Sequence, residues 1–145
     1  MFFRDYSPGD FSELTELWDE LGMGGAERGD STEIIAQTLA RGGKLIILEN
    51  EDRDEIVGSS WITCDGRRLF LHHFGIKKKY QNRGLGTKLA LESLRFMKEK
   101  GYQVKLEVHT DNLVAKRLYE KVGFKAFTDY DIYMIRKPAE IICDD

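Results

Sequence analysis

The chain has 145 residues, 41% hydrophobic and 32% charged, with a formal net charge of −3. That length and balance suit one globular domain with its own core, and the sequence pI of about 5.7 argues against a general nucleic-acid binder. No apolar run approaches the roughly 20 residues of a membrane span, and the histidines and acids show no metal-ligand spacing.

Met1 is followed by Phe2-Phe3-Arg4-Asp5, without the basic segment and long apolar stretch of a signal peptide. Cys64 and Cys143 fall in no metal-like spacing; two reduced thiols in a cytoplasmic protein are expected, with one disulfide as the alternative. With no repeat, low-complexity stretch or linker, residues 1–145 read as one domain.

Phe2 to Tyr6 reads as a short opening strand. Ser7-Pro8-Gly9-Asp10 carries the residues of a helix start, and Phe11, Leu14, Leu17, Trp18 and Leu21 follow at helical spacing. Gly22-Met23-Gly24-Gly25 ends that helix, and the segment through Asp30 reads as a mobile loop. A second helix from Ser31-Thr32-Glu33 to Gly42-Gly43 is expected to bury Ile34, Ile35 and Leu39. Strands are expected at Lys44 to Asn50, Glu55 to Thr63 and Arg68 to Ile76, the last two joined at Asp65-Gly66.

A helix from Gly84 to about Lys100 places Leu85, Leu89, Ala90, Leu94, Phe96 and Met97 on half the wheel. After Gly101 come a strand, Gln103 to His109, and a helix, Asn112 to Val122, with Val114, Ala115, Leu118, Tyr119 and Val122 on one face. Phe124 to Phe127 and Asp131 to Arg136 read as a final hairpin. The order β-α-α-β-β-β-α-β-α-β-β predicts an α+β fold: a mixed, mostly antiparallel sheet with flanking helices.

The turn Gln81-Asn82-Arg83-Gly84-Leu85-Gly86 lies between a strand and a helix. Such a turn leaves the first helical N–H groups unpaired, and glycine lets a diphosphate approach the backbone closely. Leu89 stands where a dinucleotide fingerprint has its third glycine, and no Gly-Lys-Ser/Thr follows, so neither common nucleotide motif applies. By itself the glycine pair is equally read as a plain helix start.

The turn resembles the Q/R-x-x-G-x-G/A signature of the GNAT N-acetyltransferases. Some 30 residues on, Asn112-Leu113-Val114-Ala115-Lys116-Arg117-Leu118-Tyr119-Glu120-Lys121-Val122-Gly123-Phe124 resembles that family's second signature. The element order is also similar, so the resemblance extends over nearly the whole chain.

The resemblance implies acetyl-CoA or coenzyme A as co-substrate, with no metal. Its diphosphate is expected on Gln81, Asn82, Arg83, Gly84, Leu85, Gly86 and Thr87. Its pantetheine arm is expected along Phe74, Gly75 and Ile76, with Asn112 and Tyr119 as further contacts. Tyr119 is the expected acid for the leaving thiolate, although its place on an apolar stripe also suits a core tyrosine. Lys77-Lys78-Lys79 either steers the polyanion or is a solvated strand end.

An attacking ammonium must lose a proton, and His72 is the expected base, because alternation puts it on one face with Phe70, Phe74 and Ile76 and turns His73 away. The competing readings are a histidine simply packed in the sheet, a base acting through water, and no single base at all. In the loop before Ser31, Arg28 suits a carboxylate or phosphate and Glu27 or Asp30 a cationic amine, unless these charges are merely solvated. Tyr130 and Tyr133 either line the acceptor pocket or pack.

The implied protein is an N-acetyltransferase acting on a small-molecule or peptide amine by direct attack. It would be a monomer or homodimer without nucleic-acid or membrane partners. The alternative is a non-catalytic CoA-binding sensor or interaction domain.

Overall fold

The computed structural model describes residues 1–143. Five strands form one sheet in sequence order: β1 (Phe2–Asp5), β2 (Lys44–Glu49), β3 (Ile56–Cys64), β4 (Leu69–Ile76) and β5 (Val104–Leu106). The first four pair antiparallel, and β5 joins β4 in parallel. Helices α1 (Phe11–Glu20) and α2 (Thr32–Ala40) lie between β1 and β2, α3 (Leu85–Lys100) follows β4, and α4 (Leu113–Lys121) follows β5. This is the expected mixed α+β arrangement.

Alternation along β2 divides the core in two. Ile46 and Leu48 join Leu69, Leu71, Ile76, Leu85, Leu89 and Met97 on the α3 side. Leu45 and Ile47 join Leu14, Leu17, Trp18, Ile35 and Trp61 on the α1–α2 side. Helix ends follow local chemistry: Ser31 Oγ accepts from the Ile34 N–H at 3.2 Å, and Gly101 closes α3 at φ +73°. At the β3–β4 turn, Asp65 Oδ1 accepts from the Arg67 and Arg68 N–H groups, and Gly66 takes φ +92°.

Three expectations are corrected. Residues 124–136 form no strand, so the final hairpin at Phe124 to Phe127 and Asp131 to Arg136 is absent, and Tyr130 and Tyr133 are exposed. The β5 edge is three residues long rather than the expected seven, and the connection through Thr128-Asp129-Tyr130 has no glycine to make a tight primed turn. Ile34 and Val114 face solvent, because α2 turns Ile35 to the core and α4 turns Leu118 and Tyr119 inward. The third correction is on β4, where the site is built.

Candidate active site

Strand β4 contains a bulge. Ser59 pairs with Gly75 and Trp61 with His72, so Ser60 alone stands opposite both His73 and Phe74. His73 takes up the extra residue at φ +43°, a conformation that costs a non-glycine residue free energy. Leu69 and Leu71 face α3 before the bulge, and Phe74 and Ile76 face it afterwards. His72 and His73 consequently both lie on the α1–α2 side: Trp61 meets the edges of both rings, at 6.4 and 5.2 Å. The expected common face for His72 with Phe74 and Ile76, and an opposite one for His73, is therefore incorrect. One inserted residue reverses the parity of everything after it.

Pairing of β4 with β5 covers only Leu69↔Val104, Phe70↔Lys105 and Leu71↔Leu106. Among the described residues, no strand lies beside β4 on that edge from His72 onward, so the two strands form a fork. Tyr119 of α4 reaches this fork and meets both Phe74 and Phe124 edge-on, each at 5.7 Å. Burial in this apolar setting pushes the Tyr119 phenol up to about 12. Its proton is thus held throughout the neutral range.

The β4–α3 turn lies at the end of the same strand. Asn82 and Gly84 adopt φ +61° and +75°, and Gly84 caps α3. The first intrahelical bond runs from the Lys88 N–H to the Gly84 carbonyl at 3.2 Å, so Leu85, Gly86 and Thr87 keep unpaired N–H groups facing outward. Gly84 is accounted for by its φ. Gly86 is not: a Cβ there would stand 3.5 Å from Leu118 Cδ2, an ordinary contact. The fold does not require glycine at 86, and the missing side chain leaves the helix start open to close approach. These residues fit a diphosphate.

The remaining expected contacts are partly committed elsewhere. Gln81 donates from Nε2 to the Ile76 carbonyl at 2.8 Å, and Arg83 donates to the Lys79 carbonyl at 3.1 Å. Asn112 caps α4 by accepting from the Ala115 N–H at 3.1 Å. Lys77 and Lys79 both contact Glu55 Oε1 at 2.8 Å, and the Tyr80 hydroxyl donates to Glu55 Oε2 at 2.7 Å. Of the lysine run, Lys78 alone has no ion pair among the described residues.

These donors, Lys77 foremost, hold the Glu55 carboxyl down at about 2. Its folded value lies below the unfolded one, so the stabilisation is complete above about pH 4.3 and is lost as pH falls toward 2. Glu55→Gln is expected to cost about 1 kcal/mol at neutral pH and to flatten acid unfolding between those limits. Urea titrations at several pH values provide the check, and a constant deficit down to pH 2 contradicts it.

His72 is held by a 3.0 Å contact from Nε2 to Thr63 Oγ1 and stacks on Phe70 at 5.7 Å. Burial, with His73 beside it, pushes its pKa down, which favours the neutral ring. The expected acidic loop residues separate: Asp30 is buried, while Glu27 and Arg28 are exposed. A cavity of about 310 Å³ opens between α1 and this loop, with Thr15, Trp18, Asp19, Asp30, Ser31 and Glu33 among its walls. Among the described residues no group of three or more His, Cys, Asp or Glu could hold a metal, and no helix is long and apolar enough to cross a membrane.

The model of the acetyltransferase (GNAT) family matches residues 11–124. The chain belongs to the GNAT family. It is 28% identical over 104 residues, 71% of its length, to a mycothiol acetyltransferase of Clavibacter sepedonicus, covering 34% of that protein. It is 46% identical over 74 residues, 48% of its length, to the N-alpha-acetyltransferase RimI of Mycobacterium tuberculosis, covering 46% of it. The chain thus spans between a third and a half of these curated relatives. An acetyltransferase structure from Streptococcus agalactiae superposes with a TM-score of 0.75 at 25% identity, over 92% of this chain and 90% of that one. The matched region of this GNAT chain takes in the glycine turn, the β4–β5 fork and Tyr119.

Proposed function

We propose that the protein is an N-acetyltransferase that transfers acetyl from acetyl-CoA to a primary amine by direct attack, both substrates being bound together. The observation carrying this reading is the fork between β4 and β5, with a protonated phenol inside it and an unpaired helix start at its end. The N–H groups of Leu85, Gly86 and Thr87 would hold the diphosphate, and the glycine at 86 keeps the approach clear. The edge of β4 at Phe74, Gly75 and Ile76 would offer main-chain groups to an amide-bearing arm, as in strand addition, with the Ile76 carbonyl shared with Gln81 Nε2. Acetyl-CoA supplies the activated acyl carbon.

Tyr119 would deliver a proton to the departing sulfur, and its raised pKa keeps that proton available at neutral pH. Asn112 and Gln81 act by shaping the turn and the start of α4, given their present bonds. The acceptor class is a small-molecule or peptide amine. Among relatives, the names mycothiol acetyltransferase and N-alpha-acetyltransferase span both sizes.

The test is thiol release from acetyl-CoA with a pooled library of amines, amino acids and short peptides. Turnover on at least one amine class is expected, together with CoA affinity measured by calorimetry. Tight CoA binding without turnover on any class would replace this reading with that of a CoA-binding sensor module.

A further inference from the structure

His73 and Asp30 are 43 residues apart yet meet at 2.7 Å, Nε2 to Oδ2. Their side chains are only 14% and 5% exposed. Asp30 Oδ2 also accepts from the Gly25 N–H at 2.7 Å. The surroundings are built around this pair. A Cβ on Gly24 would lie 2.4 Å from Asp30 Oδ2 and 2.9 Å from His73 Nε2, so any larger residue at 24 would drive the two apart. Trp18 and Trp61 hold the imidazole edge-on, at 4.5 and 5.2 Å. Ser59 accepts from Trp18 Nε1 at 2.9 Å and donates to the His73 carbonyl at 2.9 Å, which fastens the bulge itself.

The contact fixes the orientation of the ring: Nε2 faces Asp30 Oδ2, which leaves Nδ1 as the ring nitrogen outside the pair. Nδ1 has no hydrogen-bond partner among the described residues, and it is not among the atoms sealed from solvent without one. The neighbouring residue, Phe74, faces the opposite side of β4 and touches Tyr119. His73 and Tyr119 therefore stand on the two sides of the strand where β5 departs. Trp18 and Asp30 belong both to the His73 environment and to the wall of the 310 Å³ cavity.

We infer that His73 accepts the proton from the attacking amine, with Asp30 as the residue that positions its ring. The inference rests on the transferase reading above. In the balanced step, the alkyl ammonium gives one proton to Nδ1, which passes it to solvent. The nitrogen lone pair then forms the C–N bond as the C–S bond breaks, and the sulfur takes the Tyr119 proton. The second nitrogen proton restores the phenol, so the products are amide, thiol and one released proton. The strained backbone at 73 is retained because an unbulged strand would turn this imidazole away from Asp30. Other titratable groups near the ring are His72 on β4 and Asp30 on the loop; Trp18 of α1 and Ser59 and Trp61 of β3 complete its surroundings.

The decisive experiment has two arms. Nitrogen-detected NMR of the free protein is expected to show His73 as the Nε2–H tautomer, and Asp30→Asn is expected to shift it toward a mixture. The second arm compares His73→Gln and Asp30→Asn with the native protein, first confirming their folding by near-UV circular dichroism. His73→Gln is expected to lose at least about tenfold in kcat on the best alkyl amine at pH 7. With hydroxylamine, whose nitrogen is already unprotonated at that pH, it is expected to stay within about threefold, and its acetyl-CoA affinity is expected to be unchanged. An Nδ1–H tautomer, or equal losses on both nucleophiles, overturns the inference while leaving the transferase intact. No turnover by the native protein on any amine removes the transferase reading itself, and the proton step with it.

Discussion

Gly86→Asp is expected to weaken CoA binding by at least about 100-fold, near 3 kcal/mol, and to leave the folded protein as stable as before within about 1 kcal/mol. Two physical effects point in opposite directions at this position, which makes the substitution diagnostic. Within the protein, a Cβ at 86 meets Leu118 only at ordinary contact distance. An acidic side chain in the first turn of α3 also complements the positive end of the helix. For a diphosphate, the same carboxylate occupies the approach and places like charge against like. Calorimetric titration with CoA and a thermal melt measure the two effects separately, and Gly86→Ala, which adds bulk without charge, should fall between. Undiminished affinity in the aspartate variant would overturn the assignment of the turn to the diphosphate.

Tyr119→Phe is expected to lower kcat by about 100-fold while changing acetyl-CoA affinity by less than about threefold. The aromatic contacts to Phe74 and Phe124 belong to the ring and survive the change. The hydroxyl has no hydrogen-bond partner among the described residues, so its loss leaves no buried group orphaned, and stability should hold or rise slightly. A phenol held at about 12 donates its proton at neutral pH but does not ionise there. The loss in kcat should accordingly be the same from pH 6 to 9. Steady-state rates across that range, with binding measured alongside, are the check; an unchanged kcat removes Tyr119 from the chemistry.

Elements with a local cause were legible beforehand. α3 and its turn could be read because their signals, two glycines and a helical apolar stripe, lie within one stretch of chain. The same holds for the Asp65–Gly66 turn between β3 and β4 and for the opening pair of helices. The parity of β4 was not legible. A period-two reading assumes an unbroken strand, and nothing in Leu71-His72-His73-Phe74 marks where a bulge falls. Asp30 looked like one more charge on a glycine-rich loop. Its burial depends on His73 and Gly24 arriving at the same point, and no single segment carries that information.

The C-terminal region shows the converse. Alternation around Asp131 to Arg136 fits a strand, yet a strand forms only where a neighbour offers a matching edge, and β5 offers three residues. What the amino-acid sequence determined by itself is the family, the α+β order through α4, and the glycine turn at the start of α3, all written in short-range pattern. What only the tertiary structure decided is which histidine faces the acidic loop, that Tyr119 is buried in an apolar setting that raises its pKa, and that Gly86 is not demanded by packing. Those depend on burial and on distances between residues far apart in the chain, which a linear pattern does not encode.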